Sequence, residues 1–540
     1  MNVIERWMPY VAGCLVCLLF VALGLLVIQY PGAQYDEVLF VSAIHAPGEI
    51  EYVLKTPFGG VPIMLMTYVG TLKAAIYAPV LLLLGSGNLT LRIPVLGFGA
   101  VSIGLFFLTL RRLTDTRVAI LASLLLATDA IYLLTCVFDW GPVALQHLLV
   151  TASLYTFVRF AGQKTKRWLF AGALFAGLAL WDKALFIWLL AGFSVAAAIV
   201  YPRELWRTVR NPRLAAACVL GFAVGSAPFL FYNVTHGWRT FTANTQIDPG
   251  GMDSKIQMLR RTLDGRGLMG YLVLENAAGS VQGLRTWEEL PVLLKNFFGD
   301  PQWSIQYFLL LAAMLSAPLL CWRGENRRVC LLVVLAGTLA TLLMLGTAGA
   351  GASIHHTVLL WPLPQLLLGF ALYTVCRKWP GIGVKAATAV VLLCVASNLL
   401  VINMYLARFI ENGPGLMWTD AVRPLVGDLG RQHGRVIFAV DWGILQQVEY
   451  YGAGRMGYHP GSDGIVPNLS DASGTARMEG FLATPNILYV THTEGHEVIA
   501  GVRRKLLSFA AERGFADHLF HVIPDRHGIA IFEIHEFSRQ

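Results

Sequence analysis

Residues 118–160 read VAILASLLLATDAIYLLTCVFDWGPVALQHLLVTASLYTFVRF, and this stretch decides the architecture. Two apolar runs, near 118–137 and 143–162, flank the turn Phe138-Asp139-Trp140-Gly141-Pro142. Each run has about 20 residues, enough to cross a ~30 Å hydrocarbon core as a helix. In that solvent the backbone must satisfy its own hydrogen bonds, so the pair reads as a helical hairpin across a membrane. Gly-Pro makes the turn and Trp suits the interface, but neither role requires the acid between them.

Working outward, similar runs lie at Pro9–Gln29 and near 93–110, 168–181, 184–201, 214–234, 304–322, 329–347, 357–375 and 386–405. Eleven spans are therefore expected, and the first reads as an anchor rather than a cleaved signal. The stretch 62–85 is also apolar but carries Gly70, Lys73 and Pro79, so helices lying at the outer interface are expected there. Composition agrees with a lipid-solvated chain. Hydrophobic residues are 56% and charged residues 14% of 540, against about 45–50% and 25% in soluble domains. Mean hydropathy is +0.59.

The net charge of +8 is not a nucleic-acid footprint, because Lys and Arg gather in short clusters between apolar runs. These clusters include Arg111, Arg112 and Arg117, then Arg159, Lys164, Lys166 and Arg167, then Arg203 to Arg213, Arg323 to Arg328, and Arg377 to Lys385. All fall in even-numbered connections when the N-terminus is inside, so the positive-inside rule predicts a cytoplasmic N-terminus and an outer C-terminus. The eight cysteines lie in or beside apolar runs, which reads as small apolar filler.

Residues 1–406 thus read as a transmembrane domain and 407–540 as an extracytoplasmic domain. Within the tail, Trp418–Gln432 has helical spacing, while Arg435–Trp442 and Asn486–His492 read as strands. Glu497–Arg513 is helical, and His518–Ile523 with Ile529–Ile534 flanks a hairpin turn, giving a compact α/β domain. His492 and His496 have a spacing that a metal site would use, and a strand end followed by a helix start explains it equally.

Acids at span ends invite a functional reading, because an ionised side chain in hydrocarbon costs several kcal/mol. Topology brings Asp36, Glu37, Asp139, Asp182, His355 and Lys73 to one outer face, with Lys183 beside Asp182, His356 beside His355, and Arg92 nearby. Convergent acids beside cations describe a site for a polar substrate on a lipid phosphate.

The same blocks carry a family resemblance. QYDEVLF after the first span, GTLKAAIYAP with NLTLRIPVL, FDWGPVALQHLL, GLALWDKALF and IHHTVLLWPLP resemble the GT-C superfamily of membrane glycosyltransferases over about residues 1–405. The order is similar to glycosyltransferase family 39, which includes protein O-mannosyltransferases and lipid A aminoarabinose transferases. The resemblance implies a polytopic α-helical GT-C fold in a bacterial inner membrane. It also implies inverting transfer of a sugar from a polyprenyl-phosphate carrier to a protein, lipid or glycan acceptor on the outer face. By that likeness Asp36 is the general base or acceptor-orienting carboxylate, with Glu37 beside it and Asp139 as second acid. Lys73 and Arg92 would face the lipid phosphate. Asp182, Lys183, His355 and His356 complete the substrate-binding set, the two histidines replacing the mixed basic and aromatic residues of better-known relatives. A divalent metal could clamp phosphate and carboxylates, although no ligand set in the sequence commits one. No GxGxxG follows an expected strand and no GxxxxGK[ST] loop is present, which agrees with a lipid-linked donor. A transporter of lipid-linked saccharide is the alternative, and it would place charges at the midplane and repeat its two halves. A non-catalytic assembly protein with the same fold is the other.

Overall fold

A computed structural model describes residues 3–248, 250–276 and 284–539. Every stretch expected to span the membrane is mostly helical. Among the described residues eight helices are long and apolar enough to cross, and a ninth candidate is a pair, Ala184–Val200 with Pro202–Arg210, bent by 100°. Pro202 opens the second arm of that pair, where its missing N–H is tolerated. The stretch 118–137 is not continuous. It breaks at Thr128–Asp129 into Thr116–Ala127 and Ala130–Thr135, because the Asp129 carboxylate caps the second piece through the Tyr132 N–H at 2.9 Å.

Helices Lys166–Asp182 and Pro212–Thr235 pack backbone against backbone. A Cβ on Gly177 would meet the Phe222 carbonyl oxygen at 2.5 Å, and one on Gly225 would meet Leu174 O at 2.3 Å. Small residues let the backbones touch, which replaces the hydrophobic driving force that lipid cannot supply.

The stretch 62–85 departs from the expectation of interfacial helices. Residues Tyr52–Thr56 (β1), Gly59–Met66 (β2) and Val69–Gly70 (β3) form an antiparallel sheet, and the helix begins only at Leu72. Pro57 and Phe58 form the two-residue hairpin turn between the paired Thr56 and Gly59, and Ile63, Met64 and Leu65 on β2 are buried. This stretch is apolar without a helical period, a pattern that strands satisfy as well as helices do.

In the tail, strands Val436–Ala439 (β4), Gly457–Tyr458 (β5), Ile487–His492 (β6), Phe515–Pro524 (β7) and Ala530–Arg539 (β8) make one sheet of order β5-β4-β6-β8-β7. Its first three strands are parallel and the last two pair antiparallel. Side-chain alternation feeds two cores. Ile437, Ala439, Leu488 and Val490 pack under helices Val422–Leu429 and Ile444–Tyr451. Phe438, Val440, Ile487 and Tyr489 pack under helices Ala472–Leu482 and Val502–Glu512. Burial on both faces explains why β4 and β6 read as unbroken apolar runs. Of the second polar segment, 236–302, residues 277–283 lie outside the described residues.

The sheet domain docks on the loop that follows the first helix. The Gly32 N–H donates to Trp418 O at 2.8 Å, the Ala33 N–H donates to the Tyr451 hydroxyl at 3.1 Å, and Arg423 Nη2 donates to Gln29 O at 3.0 Å. That loop leads directly into Tyr35-Asp36-Glu37.

Candidate active site at the mouth of the bundle

The short helix Tyr35–Val38 carries the acidic pair and is capped by Gln34, whose Oε1 accepts the Asp36 and Glu37 N–H groups. Successive side chains on one turn diverge, so the two carboxylates meet different surroundings. Glu37 turns into the protein and is 1% exposed. It takes Arg92 in a two-point pair, Nε–Oε1 at 2.8 Å and Nη2–Oε2 at 2.9 Å. Arg92 is itself 0% exposed, and its remaining donors go to the carbonyls of Ile28, Pro31 and Gly32. All of its N–H groups are thereby used. Expected at a lipid phosphate, Arg92 instead fastens the loop, and Glu37 is its counter-charge. Polar residues buried this deeply must be satisfied from within the protein, a pairing that linear spacing does not reveal.

Asp139 has a similar outcome. Its Oδ1 accepts the N–H groups of Val143 and Ala144 at 2.7 and 2.8 Å, capping helix Val143–Gln163, while Oδ2 lies 2.9 Å from Lys73 Nζ. Lys73 is thus neutralised, and its ammonium also lies 4.8 Å from the Phe40 ring centre. Asp182 is fully buried. It forms no ion pair with Lys183 within 4 Å among the described residues, and the Gln146 carboxamide, suitably oriented, donates to its Oδ2 at 3.3 Å.

Four of the nine residues expected at the site line one cleft, namely Asp36, Lys73, Lys183 and His355. Leu65, Met66, Tyr68, Val69, Trp140 and Gly141 complete much of its wall. Three separate loops meet here. The Gly141 N–H donates to Asp36 O at 3.3 Å, the Ala184 N–H donates to Tyr68 O at 2.8 Å, and Trp181 Nε1 donates to Ile63 O at 3.0 Å. Glu37, Arg92, Asp139, Asp182 and His356 are not among the residues that line it.

Charge in the cleft is uneven. Lys183 is 1% exposed, and its ammonium has no hydrogen-bond partner among the described residues. A Cβ on Gly141 would lie 3.1 Å from that nitrogen, so Lys183 lies close across the turn. Burial lowers Lys183 to about 8, opposed by Asp139, Asp182 and Asp36. The Asp36 carboxyl forms no ion pair among the described residues. Burial raises it above the ordinary carboxylate value, opposed by Gln34 and Lys183. His355 Nδ1 receives the Trp140 indole N–H at 2.6 Å. Sequence reading missed Tyr68 and gave Trp140 only an interfacial part. Indole nitrogen as a donor to histidine has no signature in linear spacing.

On the far side of Asp36, Tyr35 stacks on Trp442 with ring centres 4.3 Å apart. Asp441 beside it is buried, accepting the N–H groups of Val498 and Ile499 and pairing with His492 Nδ1 at 2.6 Å. Among the described residues no three His, Cys, Asp or Glu side chains are arranged to hold a metal ion, in the tail or at the mouth.

Residues 71–232 match the family model described as dolichyl-phosphate-mannose-protein mannosyltransferase. No curated protein matches the sequence. Among solved structures, ArnT from Cupriavidus metallidurans bound to undecaprenyl phosphate superposes with a TM-score of 0.56, at 13% identity over 99% of this chain and 98% of that one. The chain has the GT-C glycosyltransferase fold. The apo oligosaccharyltransferase of Archaeoglobus fulgidus shares this GT-C architecture with a TM-score of 0.51, at 13% identity over 96% of this chain and 74% of that one. The mycobacterial arabinofuranosyltransferase AftD gives 0.52 at 15% identity, over 99% of this chain and 42% of that one. The family-model match includes Lys73, Arg92, Asp139, Asp182 and Lys183. Asp36 and His355 lie outside it, and the GT-C fold brings both to the same cleft.

Proposed function

We propose that this protein transfers a sugar from a polyprenyl-phosphate carrier to an acceptor at the non-cytoplasmic face of a bacterial plasma membrane, inverting the anomeric centre. One observation carries the reading. Lys183 is a buried ammonium with no partner among the described residues, in a cleft it shares with Asp36, whose carboxyl likewise forms no ion pair among them. An uncompensated buried charge costs several kcal/mol, and an anionic ligand relieves that cost. A lipid phosphate is such a ligand, and ArnT, of the same fold, has been solved with undecaprenyl phosphate.

The chemistry follows from the placement. Asp36 accepts the proton of the acceptor hydroxyl as its oxygen attacks the anomeric carbon. The bond to the lipid phosphate breaks, and the phosphate departs toward Lys183, which stabilises its charge without an acid on the leaving oxygen. One displacement inverts the centre. Arginine and lysine clusters at the opposite ends of the helices support a mouth on the non-cytoplasmic side.

Lys183→Met keeps the stem and removes the charge, so it should abolish binding of undecaprenyl phosphate by the folded protein. Asp36→Asn should retain that binding and lose transfer from an undecaprenyl-phosphate-linked sugar by about 10²–10⁴-fold. Full activity in both variants overturns the proposal.

A further inference from the structure

His355 is the second residue of the short helix Ile354–Thr357 and lines the cleft beside Asp36 and Lys183. Two groups converge on its Nδ1, the Trp140 indole Nε1–H at 2.6 Å and the Ser353 hydroxyl at 2.8 Å. An indole nitrogen can only donate, so the nitrogen that receives it carries no proton. That excludes both the Nδ1–H tautomer and the doubly protonated imidazolium. The one ring proton is on Nε2, which forms no hydrogen bond among the described residues.

We propose that Trp140 fixes His355 as a neutral Nε2–H donor whose ligand is a phosphate oxygen of the polyprenyl-phosphate donor. This rests on the reading of the cleft as a lipid-phosphate site. Lys183 supplies charge there, and His355 adds a directed N–H that needs no protonation. Trp140 acts only through His355 and is a positioning residue. Its own ring is held between Tyr271 and Trp418, with centres 5.4 and 5.7 Å away, so the indole N–H has one orientation. The pairing of second-sphere donor and histidine is the device by which proteins select one imidazole tautomer.

The test uses the full-length protein in detergent with ¹⁵N-labelled histidine, assigning His355 by the signal lost in His355→Gln. Wild type should show an unprotonated Nδ1 and a protonated Nε2, and Trp140→Phe should show mixed tautomers. Titration with undecaprenyl phosphate supplies the second readout. Glutamine places an N–H near the position of Nε2, so His355→Gln should bind within about threefold of wild type. His355→Asn, which lacks that reach, should weaken binding at least tenfold, and Trp140→Phe should fall between them.

A protonated Nδ1 in wild type overturns the proposal, as does tight binding by His355→Asn. Wild-type protein that binds no undecaprenyl phosphate overturns both the ligand assigned to His355 and the reading of the cleft. Normal binding by wild type with equal binding by all three variants overturns the donor role alone.

Discussion

Lys73 Nζ and Asp139 Oδ2 lie 2.9 Å apart, with both side chains almost wholly shielded from solvent. A pair this deep is asymmetric in its energetics. Forming it gains little over an apolar replacement, but removing one partner leaves a buried charge and costs about 3–5 kcal/mol. Asp139→Asn keeps the oxygen that caps helix Val143–Gln163 and strands Lys73. The expected result is a lowered unfolding temperature together with lost activity. Asp36→Asn should instead lose activity at an unchanged unfolding temperature. Differential scanning fluorimetry on both variants in one detergent separates the two acids.

Arg92 provides the second prediction. Its guanidinium meets Glu37 at two points and three backbone carbonyls besides, a geometry that lysine cannot reproduce with one ammonium. Both Arg92→Lys and Glu37→Gln should reduce the yield of folded protein, with a stability loss of about 3–5 kcal/mol for Glu37→Gln. Whatever folded protein survives should still bind undecaprenyl phosphate, because neither residue lines the cleft. Lost binding by well-folded variants would return Arg92 to the phosphate site.

The pH dependence has a definite sign. Asp36 must be ionised to accept a proton, and burial raises its pKa, so the acid limb of kcat/KM should lie above the ordinary carboxylate range. Lys183 titrates near 8, and its charge is lost as pH rises through that value. The profile should be bell-shaped, each limb falling about tenfold per pH unit. Lys183→Arg should move the alkaline limb upward beyond the measurable range, since guanidinium stays charged. A profile flat from pH 5 to 9 contradicts both assignments.

The helical bundle was legible in sequence because apolar length is a direct consequence of hydrocarbon thickness, and residues such as 143–162 had no other reading. The tail's main strands were legible too, since Val436–Ala439 and Ile487–His492 are buried on both faces. Helix Ile444–Tyr451 was not, because its polar residues, among them Gln447 and Glu449, are buried against the bundle rather than exposed. Residues 62–70 were mistaken for helix because apolarity was used without its period. At the site, sequence order assembled the right loops but could not tell which charges cancel. Glu37 with Arg92 and Lys73 with Asp139 are pairs 55 and 66 positions apart. Only their closure leaves Lys183 as the unmatched cation among the cleft's lining residues.

Glu449 is one of those buried polar groups, accepting the Ser42 hydroxyl at 3.1 Å across the seam between the tail and the bundle. Burial raises its pKa to about 7 from the ordinary glutamate value. A carboxyl with a raised folded-state pKa binds more protons folded than unfolded, so stability falls as pH climbs from the unfolded value to about 7 and then levels. Glu449→Gln removes that penalty. It should stabilise the protein by about 1–3 kcal/mol at pH 8 and change little at pH 4.5. Equal effects at both pH values would show that Glu449 does not titrate at this seam.

Gly32 tests whether the seam matters to the site. A Cβ there would lie 2.0 Å from Thr419 O and 2.8 Å from Val422 Cγ1, both on the tail domain. Backbone cannot yield as a flexible side chain can, so Gly32→Ala must push the two bodies apart. The loop that moves is the one leading into Asp36. Gly48, in the next loop, has nothing within 4 Å of its would-be Cβ and supplies the control. Gly32→Ala should expose the tail to limited proteolysis near residue 415 and lower kcat at least tenfold, while undecaprenyl phosphate still binds at Lys183. Gly48→Ala should change neither. If Gly32→Ala frees the tail yet leaves kcat intact, the bundle positions Asp36 unaided and the docked domain has some other use.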